Sequence, residues 1–332
     1  MRTWLERLWY PRGDRGLTHA LAAPPLALVS GAFSLVASAR AALAAAPTRI
    51  DGARVVSVGN LTVGGAGKTP AVIFLAQLAQ QHGKRVAVLT RGYGRSSTAA
   101  VELEASALAP EPLAGDEPRL IATRCPGVRV YVGADRVASA RAARAAGFDL
   151  LLLDDGFQHR RLARDADLVL IDDAVGLGNG RRLPWGPLRE SASALARATL
   201  VWRRSAETVG PPLHSNELHA EHRVRSTFPL AGTPVLVITG IARPSSVVES
   251  AARLGARVVA TRFFADHHRF TASELAEAKA AAQALDATLL TTEKDAQRMP
   301  EGFAQTLIVD VVLRDGHAAL HAALGLEGQH GA

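Results

Sequence analysis

A run of small residues between two apolar segments limits what this chain can fold into more than any other feature. Arg54-Val55-Val56-Ser57-Val58 reads as a buried strand, and Ala71 to Gln81 carries the apolar periodicity of a helix. Between them lies Thr62-Val63-Gly64-Gly65-Ala66-Gly67-Lys68-Thr69. A strand, a Gly-rich turn and a helix N-terminus make an anion site: main-chain N–H groups converge on the anion and the helix dipole adds partial positive charge. In a loop of this kind Lys68 reaches the β- and γ-phosphates of a nucleotide, and the Thr69 hydroxyl holds Mg²⁺. The general pattern G-x-x-x-x-G-K-[ST] has glycine where this chain has Thr62, and Gly64 and Gly65 supply the flexibility further along. A chance Gly-rich turn is the plain alternative, and the flanking strand and helix weigh against it.

Such a site needs a second acid for the metal, normally at the tip of a neighbouring apolar strand. Leu150-Leu151-Leu152-Leu153-Asp154-Asp155 fits, and Gly156-Phe157-Gln158-His159-Arg160-Arg161 follows it. Asp172-Asp173, after an apolar stretch from Asp167 to Ile171, is a lower-ranked rival. Phosphoryl transfer to an alcohol also requires cations around the transferred group and an acceptor for the alcohol proton. Candidate cations are Arg91, Arg136, Arg160, Arg161 and Arg189, each by default a solvated surface arginine. Arg189 stands in Leu183-Pro184-Trp185-Gly186-Pro187-Leu188-Arg189-Glu190, too specific a loop for a casual linker. Asp116 sits in Gly115-Asp116-Glu117-Pro118 at a helix start, where an N-cap role would also explain it. Asp266-His267-His268, within Phe263 to Phe270, is suited to orienting an imidazole or a carboxylate. Zinc is not favoured there, because no Cys or further His lies near.

Strand and helix patterns alternate along the chain, which implies an α/β fold with mostly parallel strands flanked by helices. At 332 residues two domains fit. We expect an N-terminal segment at 1–49, a P-loop NTPase-like domain at 50–226 and a smaller α/β domain at 227–332. Ser205 to Ser226, with Pro211-Pro212 and scattered His, reads as the connection. A single cysteine, Cys125, excludes an internal disulfide.

Leu17 to Ala39 holds no Asp, Glu, Lys or Arg, and Arg2, Arg7, Arg12, Arg15, Trp4, Trp9 and Tyr10 precede it. A spanning helix needs about 20 apolar residues, which this stretch supplies, but Pro24-Pro25 interrupt it early. Ala44-Ala45-Ala46 imitates a signal cleavage site, although export would part a nucleotide site from its nucleotide. An interfacial helix with Arg and Trp at headgroup level is the favoured reading, with a span or a buried core helix as alternatives. The net charge of +7 suits anionic lipid or phosphorylated substrates. Nucleic acid is disfavoured, since no Arg/aromatic interleaving of the single-strand-binding kind occurs.

Together these motifs resemble the tetraacyldisaccharide 4′-kinases, the lipid A 4′-kinases of Gram-negative bacteria. The resemblance rests on Val58 through Pro70, Thr90-Arg91-Gly92-Tyr93-Gly94-Arg95, Gly115 to Pro118, and Gly133-Ala134-Asp135-Arg136. It continues through Leu153 to His159, Leu183 to Glu190, Asp266 to His268, and Thr291-Thr292-Glu293-Lys294-Asp295. It implies ATP- and Mg²⁺-dependent phosphorylation of the 4′-hydroxyl of a tetraacylated glucosamine disaccharide 1-phosphate, giving lipid IVA. It implies ATP contacts from Thr62 to Thr69 and from Arg189, and metal contacts from Thr69, Asp154 and Asp155. Asp116 would act as or assist the base, paired with His267 from the other domain so that closure assembles the pair. Arg91, Tyr93, Glu117, Arg136, Gln158 and His159 are the implied substrate contacts. A monomer at the cytoplasmic face of the inner membrane, against anionic lipid, is expected. Two rivals are weighed. A membrane-associated regulatory P-loop ATPase of the deviant type would carry Lys where Val63 stands. A GTP switch would want an Asn-Lys-x-Asp stretch, which Glu293-Lys294-Asp295 does not supply.

Overall fold

The computed structural model describes residues 8–10, 24–35, 46–204 and 211–326. The arginines at 2, 7, 12 and 15, and Ala44-Ala45, lie outside the described residues. The chain divides into two compact units. The first comprises Met1–Leu89, Asp135–Glu221 and Leu313–Ala332; the second comprises Thr90–Ala134 and His222–Val312. The units are thus not the two consecutive stretches expected from sequence, because Thr90–Ala134 groups with His222–Val312, and Leu313–Ala332 with the first unit.

In chain order the strands are β1 (Arg54–Asn60), β2 (Val86–Thr90), β3 (Val101–Leu103), β4 (Arg129–Val132), β5 (Leu150–Asp154) and β6 (Ala166–Asp172). They continue with β7 (Leu200–Arg204), β8 (Glu217–Ser226), β9 (Pro234–Thr239), β10 (Arg257–Phe263), β11 (Thr288–Thr292) and β12 (Gln305–Leu313). The expected connection at 205–226 therefore contains a strand. In β8 Leu218 and Ala220 are buried while their neighbours are half-exposed, the alternation of a strand with one covered face.

The first unit is built on parallel pairing of β8, β7, β6, β1, β5 and β2, in that order. Every residue of β5 is buried, the signature of a central parallel strand covered on both faces. Helix Lys68–Gln81 packs on this sheet through Ala71, Val72, Leu75, Ala76 and Ala79, and its Phe74 meets Trp202 edge to face at 5.8 Å. Burial of each such Leu or Val contributes about 1.5–3 kcal/mol. β1 carries Gly59 because a Cβ there would fall 2.7 Å from Cβ of Phe157, in the turn after β5.

In the second unit β10, β9, β11 and β12 pair parallel in that order, and β3 pairs antiparallel with β4. Helix Ala272–Ala284 starts with a capping box between Thr271 and Glu274 and covers Leu236, Ile238 and Leu289. Helix Asp116–Arg124 ends in a clamp: the Arg124 guanidinium donates to Glu293 at 2.6 Å and to Asp310 at 2.6 Å. That clamp ties the 90–134 segment to the rest of its unit.

Residues 24–35 are helical, starting at the two prolines, which the first turn of a helix tolerates. Among the described residues no helix is long and apolar enough to cross a membrane.

Candidate active site

In the first unit the residues after β1 turn sharply into a helix. Gly67 is its N-cap, in the left-handed region at φ 81°, and Gly64 has φ 110°. Both conformations suit glycine. No side chain caps this helix and no acid stands in its first turn, so its amides remain open to an anion. Ala66 is buried beneath the loop, whereas Gly64 and Gly65 are exposed. The loop is braced from the 183–190 segment: Val63 N donates to Pro187 O at 2.8 Å, and Arg189 N donates to Leu61 O at 2.7 Å. Leu188 and Leu61 sit beneath it in a core with Phe157, Val169 and Ile171.

Lys68 donates to Asn60 Oδ1 at 3.1 Å and faces Asp155 Oδ1 at 3.5 Å. Asp155, in the left-handed region at φ 50°, presents its carboxylate to Arg189 Nη1 at 2.8 and 3.0 Å. Arg136 donates to the Asp155 carbonyl at 3.2 Å from a helix capped by Asp135. Burial by itself would lift the Asp155 carboxyl, but Lys68 and Arg189 outweigh it and hold it below the ordinary value of 3.8. Asp154, at the tip of β5, is buried. Gln158 donates to Asn60 O at 3.0 Å, so it braces the loop, and the His159 carbonyl accepts from Arg164. Arg160 pairs with Glu190 at 3.2 Å. The rival acids are engaged elsewhere: Asp173 pairs with Arg203 at 2.7 Å, and Asp172 with Arg204.

The second unit brings Asp116 and His267 together within itself. His267 Nδ1 and Asp116 Oδ2 are 3.1 Å apart. The expected split of this pair across two domains, with closure to assemble it, does not correspond to this arrangement. Asp116 is the first helical residue after Gly115 rather than the cap, and its Oδ1 accepts from Glu117 N at 2.9 Å. Burial pushes the Asp116 carboxyl up, but the His267 hydrogen bond, Lys294 and Arg298 outweigh it and hold it below 3.8. The hydrogen bond to Asp116 raises His267 above its ordinary 6.5, against burial and the nearby Lys294. Glu117 accepts from Lys294 at 3.1 Å, and the Tyr93 ring lies 6.3 Å from that of His267. Arg91 and Tyr93 are exposed. His268 plays a different part: it stacks on Phe264 at 4.6 Å and meets Glu274 at 2.9 Å.

Sequence reasoning passed over Asn60, which anchors the Lys68 ammonium, and Arg298, which faces Asp116 Oδ2 at 3.5 Å. It left Lys294 without a role, although its Nζ is 3.4 Å from His267 Nε2. An Asp at position 295 with Arg at 298, one helical turn on, was the available signal for a local ion pair.

Residues 22–324 match the family model described as LpxK, tetraacyldisaccharide-1-P 4′-kinase. The chain is 42% identical to the tetraacyldisaccharide 4′-kinase of Anaeromyxobacter dehalogenans strain 2CP-C, covering 96% of this chain and 94% of that protein. It is 44% identical to that of Anaeromyxobacter sp. strain Fw109-5, over 89% and 87% of the two chains. Among solved structures it is similar to LpxK from Aquifex aeolicus in complex with ATP. The TM-score is 0.74 at 27% identity, over 90% of this chain and 98% of that one.

Proposed function

This chain belongs to the tetraacyldisaccharide-1-P 4′-kinase family, and from that premise we propose how its residues divide the work. It is a kinase that transfers phosphate from ATP to the 4′-hydroxyl of a tetraacylated disaccharide 1-phosphate in lipid A biosynthesis. The regulatory-ATPase reading is not favoured.

The first unit holds the nucleotide. The Thr62–Thr69 loop offers open amides at an uncapped helix start, a P-loop arrangement suited to a triphosphate. The observation that carries this reading is the Lys68 ammonium, held between Asn60 and Asp155 at the mouth of that helix. Its charge acts on the transferring phosphoryl group, where positive charge is worth most in the transition state. Arg189 orients Asp155 and adds a second cation. The hydroxyl of Thr69 and the carboxylates of Asp154 and Asp155 are hard oxygen donors of the kind Mg²⁺ takes alongside nucleotide phosphates. When bound, Mg²⁺ would neutralise charge developing on the phosphate oxygens.

The second unit supplies the base. The Asp116 side chain is 2% exposed and the His267 side chain 29%, so the imidazole is the member that meets substrate. With Nδ1–H donating to Asp116, Nε2 is the nitrogen that accepts a proton, and Asp116 stabilises the imidazolium that results. Arg91, Tyr93 and Glu117 of this unit, and Arg136, Gln158 and His159 of the first, are proposed substrate contacts.

We assign the helix at 24–35 to the membrane interface. It exposes Leu28, Val29, Phe33 and Leu35 together, an apolar surface flanked by a basic loop. Ser30 donates to the Arg182 carbonyl at 3.1 Å, and Trp9 donates to the Pro184 carbonyl at 2.9 Å. Arg181 and Arg182 beside an apolar helix suit the cytoplasmic face of an anionic bilayer, where the substrate's acyl chains lie. The protein is proposed to work there as a monomer.

Incubation with ATP, Mg²⁺ and the tetraacylated disaccharide 1-phosphate, followed by mass spectrometry, tests the reading. We expect a product heavier by one phosphate, with fragmentation placing it on the distal sugar. Nucleotide turnover that leaves the lipid mass unchanged would refute it.

A further inference from the structure

We infer that Arg298, anchored by Asp295, is a positioning residue that holds Asp116 and His267 in register. The inference rests on the roles proposed above for that pair. The Arg298 side chain is 1% exposed and that of Asp295 0%. Such a buried ion pair persists only where its geometry is closely satisfied. Asp295 accepts from Thr239 Oγ1 at 2.6 Å, Thr292 Oγ1 at 2.8 Å and Gly240 N at 3.1 Å, and it also accepts from Arg298.

Arg298 then reaches both members of the pair. Its Nη1 donates to His268 O at 2.8 Å and its Nη2 to Gly240 O at 3.3 Å. The same Gly240 carbonyl accepts from His267 N at 3.1 Å. One planar fork therefore fixes the backbone on both sides of His267, a non-glycine residue held at φ 58°. The remaining Nε is buried, makes no hydrogen bond, and faces Asp116 Oδ2 at 3.5 Å. A pure structural clamp has no need of that third contact. The other charged neighbours of the pair are Lys294, Glu117 and Asp266, the last 3.9 Å from His267 Nε2. Lys294 is part-exposed, whereas Arg298 is buried.

The full-length protein is tested by steady-state phosphate transfer across pH. Loss of turnover in Asp116→Asn, with an active wild type, first establishes the pair itself; an indifferent Asp116→Asn refutes the pair and the present inference with it. Arg298→Gln should lower kcat about 10-fold or more, leave the KM for ATP within about 2-fold, and move the acid limb of kcat/KM up by roughly half to one pH unit. Removing a cation raises the proton affinity of the coupled pair. Arg298→Lys keeps the charge and loses the fork, so the limb stays in place while kcat falls. On a His267→Ala background the cost of Arg298→Lys should shrink below about 2-fold. If Arg298→Gln does not fold, Arg298→Lys in the two backgrounds decides. Equal cost in both backgrounds, an unmoved limb in Arg298→Gln, or wild-type kcat in Arg298→Lys would overturn the inference.

Discussion

His267 Nδ1 lies 3.1 Å from Asp116 Oδ2, although 151 residues separate them in the chain. The two shifts this contact produces run in opposite directions, and they set a pH window. His267 is raised above 6.5, so its contribution to stability is complete below that value and is lost as pH rises through the folded value. Asp116 is lowered below 3.8, so its contribution is present above that value and is lost as pH falls through the folded one. The pair therefore stabilises the fold most between about pH 4 and 6.5. Melting curves of wild type and His267→Ala should differ most in that window and converge at alkaline pH. A difference that grows towards pH 9 would contradict the assignment.

Asp116→Ala and His267→Ala in combination should cost far less than the sum of their separate barrier increases. Residues acting as one unit lose their function with the first deletion, so the double variant should lie within about 3-fold of the worse single one. The check is kcat/KM for all four proteins. Strict additivity of the two barrier increases would separate the residues into independent roles.

Lys68→Ala should lower kcat by about 10²–10³-fold, the usual cost of removing one charge or donor aimed at a transition state. The fold should survive, because Arg189 still holds the Asp155 carboxylate. Single-turnover kinetics together with thermal melting separate the two effects. Near-normal turnover in a folded variant would remove Lys68 from the chemistry.

Gly59→Ala should destabilise the first unit by about 1–3 kcal/mol, the range for forcing a methyl into a filled site. The added carbon would meet Cβ of Phe157 at 2.7 Å and its backbone N at 2.9 Å. Phe157 follows Asp155 closely, so activity should fall along with stability. Urea unfolding supplies the measurement, and an unchanged midpoint would show that the turn yields freely.

Leu28→Ser with Leu35→Ser should weaken association with anionic vesicles, because these side chains are 79% and 74% exposed. Flotation with vesicles containing phosphatidylglycerol reads this directly. Wild-type flotation would leave the helix without a membrane role.

The parts of this fold that were legible from sequence are those with local causes. Four leucines ending in two aspartates announce β5, and helix 68–81 follows from its apolar spacing, although its first turn, Lys68-Thr69-Pro70, carries no periodicity of its own. β8 stayed hidden because charged residues and histidines fill its open face, with only Leu218 and Ala220 as buried markers. His267 and His268 are indistinguishable by neighbourhood in sequence. One meets Asp116 and the other Phe264 and Glu274, partners that only the tertiary fold chooses. Arg298 is invisible for the same reason: its local partner Asp295 is readable, but its contact with Asp116 is made across the chain. The grouping of Thr90–Ala134 with His222–Val312 likewise includes the clamp of Arg124 on Glu293 and Asp310, which no spacing rule announces.

The most direct test of the account is transfer of label from γ-³²P-ATP to the tetraacylated disaccharide 1-phosphate in detergent, run side by side on wild type, Lys68→Ala and His267→Ala. We predict a labelled lipid with the wild type and at least a 100-fold weaker signal with either variant, both still folded at the assay temperature. Equal labelling by all three folded proteins would contradict the assignment of a phosphate loop in one unit and a proton acceptor in the other.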